Sequence, residues 1–162
     1  MCKLKSLALW FVSPVIRAFM VLGFRIIGYR KLHFGRCNFW GPYDTIEKVR
    51  SSLNLLLQID PKLYHELIMY DVLCFWYHKR DLRDERVTKT FSITDTFLAW
   101  GDHGIVARMV YAYFLARRLG RKVYEKDETI RMHKEVRLKT LNWLMEYDFP
   151  EQLCEPLKAV AD

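Results

Sequence analysis

The run KLYHELIMYDVLCFWYHK at residues 62–79 sets the predicted architecture. Its apolar side chains fall on nearly every side of a helical wheel, and a helix that is apolar all round is normally buried inside a protein. Asp60 and Pro61 stand directly before it, as residue types that favour the N-cap and the first position of a helix. The run therefore predicts a central buried helix with other helices packed around it.

The segments on either side of this run also carry helical signals. Residues 45–59 place apolar side chains at helical spacing after a capping-box signal. Ser92 opens the longest helical pattern of the chain, and Gly120 is the residue type expected just after its end. Gly101 and Gly104 interrupt this pattern, so we expect either a helix break or a closely packed backbone at that point.

The remaining segments complete an all-α prediction. Residues 80–91 are rich in charge and predict a solvated loop, with room for a short strand at residues 87–91. Residues 127–147 predict another amphipathic helix, and a short final helix or turn follows between Pro150 and Pro156. Together with an N-terminal helix, these segments predict five or six helices in a compact bundle.

The composition places the chain among globular proteins. Its 162 residues are 51% hydrophobic and 15% aromatic, which is enough to bury a core and excludes general disorder. The four cysteines, at positions 2, 37, 74 and 154, include no C-x-x-C pair and no metal-like spacing. We therefore expect a reducing compartment, no metal and no cofactor.

The net charge of +7 belongs entirely to the first quarter of the chain. Residues 1–43 contain seven Lys and Arg residues and no Asp or Glu, whereas the 19 basic and 19 acidic residues of positions 44–162 balance. This asymmetry predicts two parts. Residues 1–43 would form a basic, acid-free, membrane-associating helix followed by an aromatic loop, and residues 44–162 would form a neutral helical domain.

A helical wheel of residues 3–31 separates a broad apolar face from a narrower basic sector. Val15, Phe19, Leu22 and Ile26 lie on the apolar face, although Phe24 falls within the polar sector. Interfacial helices combine such a face with basic and aromatic side chains. The expected membrane-binding residues are Lys3, Lys5, Trp10, Arg17, Arg25, Arg30, Lys31 and Trp40.

Four further interpretations of this N-terminal segment stay open at this level. A secretory signal fits the run of residues 6–16 but lacks a small-residue cleavage site. A transmembrane helix over residues 6–24 would bury Arg17 in the bilayer, which costs about 2.5–3.5 kcal/mol of insertion free energy. An organellar presequence is also basic and free of acids. A buried N-terminal helix of a soluble domain is the fourth interpretation.

Asp71, His78, Asp102 and His103 are the candidates for chemistry. In the predicted bundle they would lie on two buried helices, where an Asp–His pair acts as a general base or as part of a metal site. The Glu-x-x-His pairs of bundle metal sites do not occur, so no metal site is predicted. The alternative is that these side chains hydrogen-bond one another inside the core. Asp102→Ala should lower the melting temperature whether or not it touches any activity.

The second kind of candidate site is a basic patch. Arg117, Arg118, Arg121 and Lys122 form the one cluster of cations that no acidic neighbour in sequence opposes, as expected for a surface that binds RNA. No glycine-rich phosphate loop and no nucleophile motif occurs in the chain, so no small-molecule substrate is predicted.

The sequence favours a non-enzymatic accessory or assembly subunit of a larger membrane-associated complex. Its N-terminal helix would bind membrane lipids, for example at the mitochondrial inner membrane, and its helical body would dock other protein subunits. An RNA-binding component of a ribonucleoprotein particle is the second interpretation. A small helical enzyme or metal protein that uses the Asp and His candidates is the third.

Overall fold

The computed structural model describes residue 15 and residues 18–70, 73–79, 90–120 and 126–158, and it contains a four-stranded β-sheet. The strands lie in the order β1 (Arg30–Phe34), β2 (Cys37–Gly41), β3 (Cys74–His78) and β4 (Thr90–Thr94). β1 and β2 pair antiparallel, whereas β2, β3 and β4 run parallel. The prediction of an all-α fold is therefore wrong, and the chain has an α/β fold.

Seven helices surround this sheet in the described part of the chain. They are α1 (18–26), α2 (Tyr43–Ile59), α3 (Pro61–Ile68), α4 (Asp95–Ala99), α5 (Gly101–Leu119), α6 (Lys126–Glu146) and α7 (Glu151–Lys158). The helices predicted at residues 45–59 and 127–147 are confirmed as α2 and α6.

The predicted central helix at residues 62–79 is instead a helix followed by a strand. Asp60 caps α3 as expected, because its Oδ1 accepts a hydrogen bond of 2.9 Å from the Leu63 N–H. The helix ends at Ile68, and the aromatic residues that follow form β3. A strand whose two faces are both covered reads as a continuous apolar run, which periodicity alone does not distinguish from a buried helix.

The predicted aromatic loop at residues 33–43 is largely a β-hairpin. Gly35 and Arg36 form a two-residue turn between β1 and β2, and Gly35 has a φ of 60°. Gly35 also packs against α3, since a Cβ there would collide with the carbonyl oxygen of Ile68. A hairpin turn with glycine at its first central position favours the twist that the two strands need.

The helix predicted from Ser92 begins three residues later. β4 continues through Thr94, so Ser92 lies inside a strand rather than at an N-cap. The short helix α4 ends at Ala99, and Gly101, with a φ of 59°, begins α5 after Trp100, so the helix breaks where the glycine signal predicted. Gly104 meets the backbone of Phe97 closely, so the helix break and the close backbone approach both occur.

The sheet separates two apolar layers of unequal size. Phe39, Phe75, Phe91 and Ile93 point to one face, the inner face, where they join the large core formed with α2, α5 and α6. Trp40, Cys74 and Trp76 point to the opposite face, the α1 face, where they join a small cluster around Phe24 of α1. The helical body therefore lies on the inner face, and α1 lies on the other face.

Candidate functional site

Helix α1 is seated on the sheet by one buried aromatic side chain. The Phe24 ring is 5% exposed and lies 5.7 Å from the Trp40 ring and 5.3 Å from the Trp76 ring. The wheel had placed Phe24 in the polar sector, and the structure shows why an apolar residue occurs there. The side of the helix that carries Phe24 faces the sheet.

The C-terminal end of α1 fixes its direction relative to β1. Gly28 has a φ of 78°, and its N–H donates to the Arg25 carbonyl, while the Tyr29 N–H donates to the Phe24 carbonyl. These two bonds form a Schellman motif, which satisfies carbonyls that a helix end otherwise leaves open. The Tyr29 ring also stacks on Phe24 at 6.0 Å, so the motif and the aromatic cluster hold the same turn.

The opposite side of α1 is apolar and faces solvent. It carries four side chains at helical spacing, which together with the exposed Val15 ahead of residues 18–26 we call the outer face of α1: Ala18, Phe19, Leu22 and Ile26. Phe19 is 70% exposed and Ile26 is 77% exposed. Contiguous apolar patches of this kind mark interaction sites on proteins. The inner side of α1 is already packed on the sheet, so α1 is apolar on two opposite sides. A helix of this kind normally has a second apolar surface in contact with it.

Exposed cations border this helix. Arg25 lies on α1 beside Ile26, and Lys31 lies on β1 with its Nζ 5.5 Å from the centre of the Trp40 ring. Arg30 points to the other side of β1, with its Cζ 5.3 Å from the centre of the Tyr43 ring. These three expected membrane-binding residues are therefore accessible at the surface.

Other expected membrane-binding residues have a different position. Trp40 is only 4% exposed because it packs under α1, so it supports the helix from below and does not reach the surface. Lys3, Lys5, Trp10 and Arg17 lie outside the described residues.

The Asp and His candidates do not converge on one place. His78 ends β3 with its ring 5.1 Å from Trp76, on the α1 face of the sheet. Asp102 lies in the first turn of α5, on the inner-face side, and His103 is exposed with its ring 5.1 Å from that of Phe149. Asp71 lies outside the described residues. The sheet therefore separates His78 from Asp102 and His103.

Asp102 connects two helices. Its carboxylate accepts hydrogen bonds from the Ser51 hydroxyl at 2.6 Å and from the Ser52 hydroxyl at 3.0 Å, and both serines belong to α2. Asp102→Ala removes this connection and leaves the buried Ser52 hydroxyl with fewer partners. We expect it to lower the free energy of unfolding by about 1–3 kcal/mol. A thermal melt within about a degree of the parent contradicts this structural role.

The predicted basic patch is partly neutralised. Arg117 Nη1 lies 3.1 Å from Glu66 Oε2, and Arg118 Nε lies 3.1 Å from Glu135 Oε2. These acids come from α3 and α6, so no local sequence pattern reveals the pairing. Arg121 and Lys122 lie outside the described residues.

Tyr113 joins the first of these ion pairs, a role that no sequence pattern indicated. Its hydroxyl donates to Glu66 at 2.7 Å and accepts from Arg117 at 3.0 Å. Burial, followed by the hydrogen bond to Glu66, raises the pKa of Tyr113 to about 12. The hydroxyl therefore keeps its proton at neutral pH and links α3 to α5 without acting as a base.

A second polar cluster lies between β4, α5 and α6. The buried guanidinium of Arg108 donates from Nε to the Ser92 carbonyl at 2.8 Å, and its Cζ lies 5.2 Å from the centre of the Phe97 ring. One turn further along α5, the Tyr111 hydroxyl lies 2.6 Å from Nδ1 of His133. These contacts join four elements of the body, β4, α4, α5 and α6, which is a structural role.

Two further findings bear on the expected kinds of site. Within the described ranges, no helix combines the length and the apolarity that crossing a bilayer requires. In the same ranges, no group of three or more His, Cys, Asp or Glu side chains is placed to hold a metal ion. The outer face of α1 is therefore the surface whose geometry most clearly indicates binding.

Comparison of the chain with protein-family models, with curated proteins and with solved structures gave no match.

Proposed function

We propose that this protein is a non-enzymatic accessory or assembly subunit that docks on a membrane surface through the outer face of α1. The supporting observation is the exposure of Phe19 and Ile26 on a helix whose opposite side is already buried. Covering a large apolar side chain with an apolar phase contributes about 1.5–3 kcal/mol. The outer face carries several such side chains, so covering all of them with lipid would contribute several kcal/mol to the free energy of binding.

A bilayer surface also suits the charge of this segment. Residues 1–43 carry seven basic and no acidic residues, and interfacial helices combine an apolar face with Lys and Arg. A second copy of the chain on the same face would bring like charges together, which opposes that arrangement. The mitochondrial inner membrane is one surface that fits the proposal.

The helical body offers a separate surface for protein subunits. Ile130, Leu138 and Met145 of α6 are exposed and lie eight and seven residues apart, so they share one side of the helix. Their exposure supports the part of the proposal in which the body docks other subunits.

The outer face of α1 is tested by the variant Ile26→Asp, with Ile130→Asp as its matched control. Both isoleucines are exposed on helices, at 77% and 58%, but only Ile26 belongs to the outer face. Flotation of the full chain with phosphatidylcholine/phosphatidylglycerol vesicles should weaken more than about ten-fold for Ile26→Asp, because a charge replaces an apolar contact. Ile130→Asp should float like the parent.

Three outcomes would overturn the proposal. The parent could fail to float with any vesicle. Both variants could float as well as the parent, which would exclude a contribution from the outer face. Sedimentation could also show a dimer that only Ile26→Asp dissociates, without vesicle binding, and the outer face would then belong to a self-association interface.

A further inference from the structure

Two cations flank the outer face of α1 on the same side of the sheet. Arg25 precedes Ile26 on α1, and Lys31 follows the Schellman turn on β1. Lys31 is paired in the sheet with Trp40, whose ring packs under Phe24. Lys31 therefore lies on the α1 face, whereas its neighbour Arg30 points the other way.

We propose that Arg25 and Lys31 make the docking surface selective for anionic phospholipids. This inference rests on the proposed membrane docking and adds the class of lipid. The Arg25 guanidinium and the Lys31 ammonium each add a positive charge beside α1. That charge attracts a headgroup with a net negative charge more strongly than a zwitterionic one, in which choline balances the phosphate. Both would meet lipid headgroups when the outer face enters the apolar layer beneath them.

The position of Lys31 is restricted before any lipid binds. Its Nζ lies over the Trp40 ring at 5.5 Å from the centre, and Trp40 is itself held by Phe24 and buried. A cation over an aromatic face is attracted to the ring and loses part of its freedom. The ammonium group is therefore held beside α1 and does not sample the full range of positions that a free lysine side chain can reach.

The charges near α1 differ from those of three arginines on the rest of the protein. Arg50, Arg117 and Arg118 each have a glutamate within 4.0 Å, whereas no ion pair of Arg25 or Lys31 occurs among the described residues. The sequence supplies no acidic residue before Asp44. The positive potential around α1 therefore remains available to an anionic surface within a Debye length of about 8–10 Å.

The test compares two double variants of the full chain that lose the same charge. Arg25→Gln/Lys31→Gln removes the two cations beside α1, and Arg131→Gln/Lys134→Gln removes two exposed cations of α6. Binding is measured by flotation on phosphatidylcholine vesicles and on mixed phosphatidylcholine/phosphatidylglycerol vesicles. We expect the parent to prefer the mixed vesicles and to lose that preference as salt rises.

Each cation at an anionic surface strengthens binding about five-fold, so Arg25→Gln/Lys31→Gln should bind mixed vesicles roughly 25-fold more weakly. Its binding to phosphatidylcholine vesicles should stay unchanged, and the α6 variant should behave like the parent on both. Equal losses in the two double variants would overturn the inference, because net charge alone would then set the preference.

Two more outcomes separate this inference from the docking proposal. If the parent binds both vesicles equally and Ile26→Asp abolishes both, docking stands and the lipid selectivity is wrong. If the parent binds neither vesicle but shifts a single-stranded RNA probe, and Arg25→Gln/Lys31→Gln removes that shift, both proposals are wrong and the cations serve nucleic acid.

Discussion

Phe24→Ala should lower the free energy of unfolding by about 3–5 kcal/mol, the range for truncating a buried phenylalanine. The Phe24 ring fills the space between Trp40 and Trp76, and few other side chains hold α1 on the sheet. Its loss leaves a cavity and frees α1 from the α1 face. Denaturant unfolding measures the change, and the tryptophan emission should shift to longer wavelength as Trp40 and Trp76 meet water.

Phe19→Ala is the matched control for this prediction. It makes the same substitution on the same helix, but Phe19 is 70% exposed. Its free energy of unfolding should change by less than about 0.5 kcal/mol. Equal stability losses in the two variants would mean that α1 does not pack on the sheet through its Phe24 side.

The second large effect is expected at the hairpin turn. Gly35→Ala places a Cβ against the carbonyl oxygen of Ile68, at a residue whose φ is 60°. Both the collision and the left-handed backbone oppose any side chain there, so we expect a loss of about 2–4 kcal/mol. The loss is measured from the midpoint of chemical unfolding.

Gly23→Ala gives the opposite sign and so controls for the substitution itself. Gly23 lies within α1, and a Cβ there meets nothing within 4 Å. Alanine is favoured over glycine inside a helix by about 1 kcal/mol, so this variant should be slightly more stable. If Gly35→Ala is as stable as the parent, the hairpin does not pack against α3 as described.

The elements that local signals specify were predictable. Asp60 and Pro61 start α3, Gly120 follows α5, and the amphipathic spacing of residues 45–59 gives α2. Caps and periodicity act over a few residues, so a single sequence contains them. The sheet depends on partners far along the chain, as in the pairing of Phe75 with Phe39 and Phe91. No local pattern encodes those contacts.

One signal for the sheet was nevertheless present. Leu32 and Phe34 alternate with charged or polar residues, and Cys37 and Phe39 stand on either side of Asn38. Two residues separate the strands. A glycine in such a two-residue gap is a hairpin signal. The two glycines, the proline and the aromatic residues of positions 33–43 favoured an aromatic loop instead, and that interpretation concealed the hairpin.

The candidate site was half predictable. The apolar face with Phe19, Leu22 and Ile26 follows directly from helical spacing, and Arg25 and Lys31 follow from charge. The role of Phe24 could not be predicted, because it depends on two tryptophans from β2 and β3. For the same reason the sequence assigned Trp40 to the membrane surface, whereas its position beneath α1 requires the sheet.

The most direct test of the central claim places a fluorescent probe on the outer face itself. In a Cys2→Ser background the described cysteines Cys37, Cys74 and Cys154 are buried, so Ile26→Cys and Ile130→Cys each provide one accessible thiol for a polarity-sensitive dye. On adding phosphatidylcholine/phosphatidylglycerol vesicles, the dye at position 26 should shift to shorter wavelength and the dye at position 130 should not. No shift at position 26, or equal shifts at both positions, would contradict docking through α1.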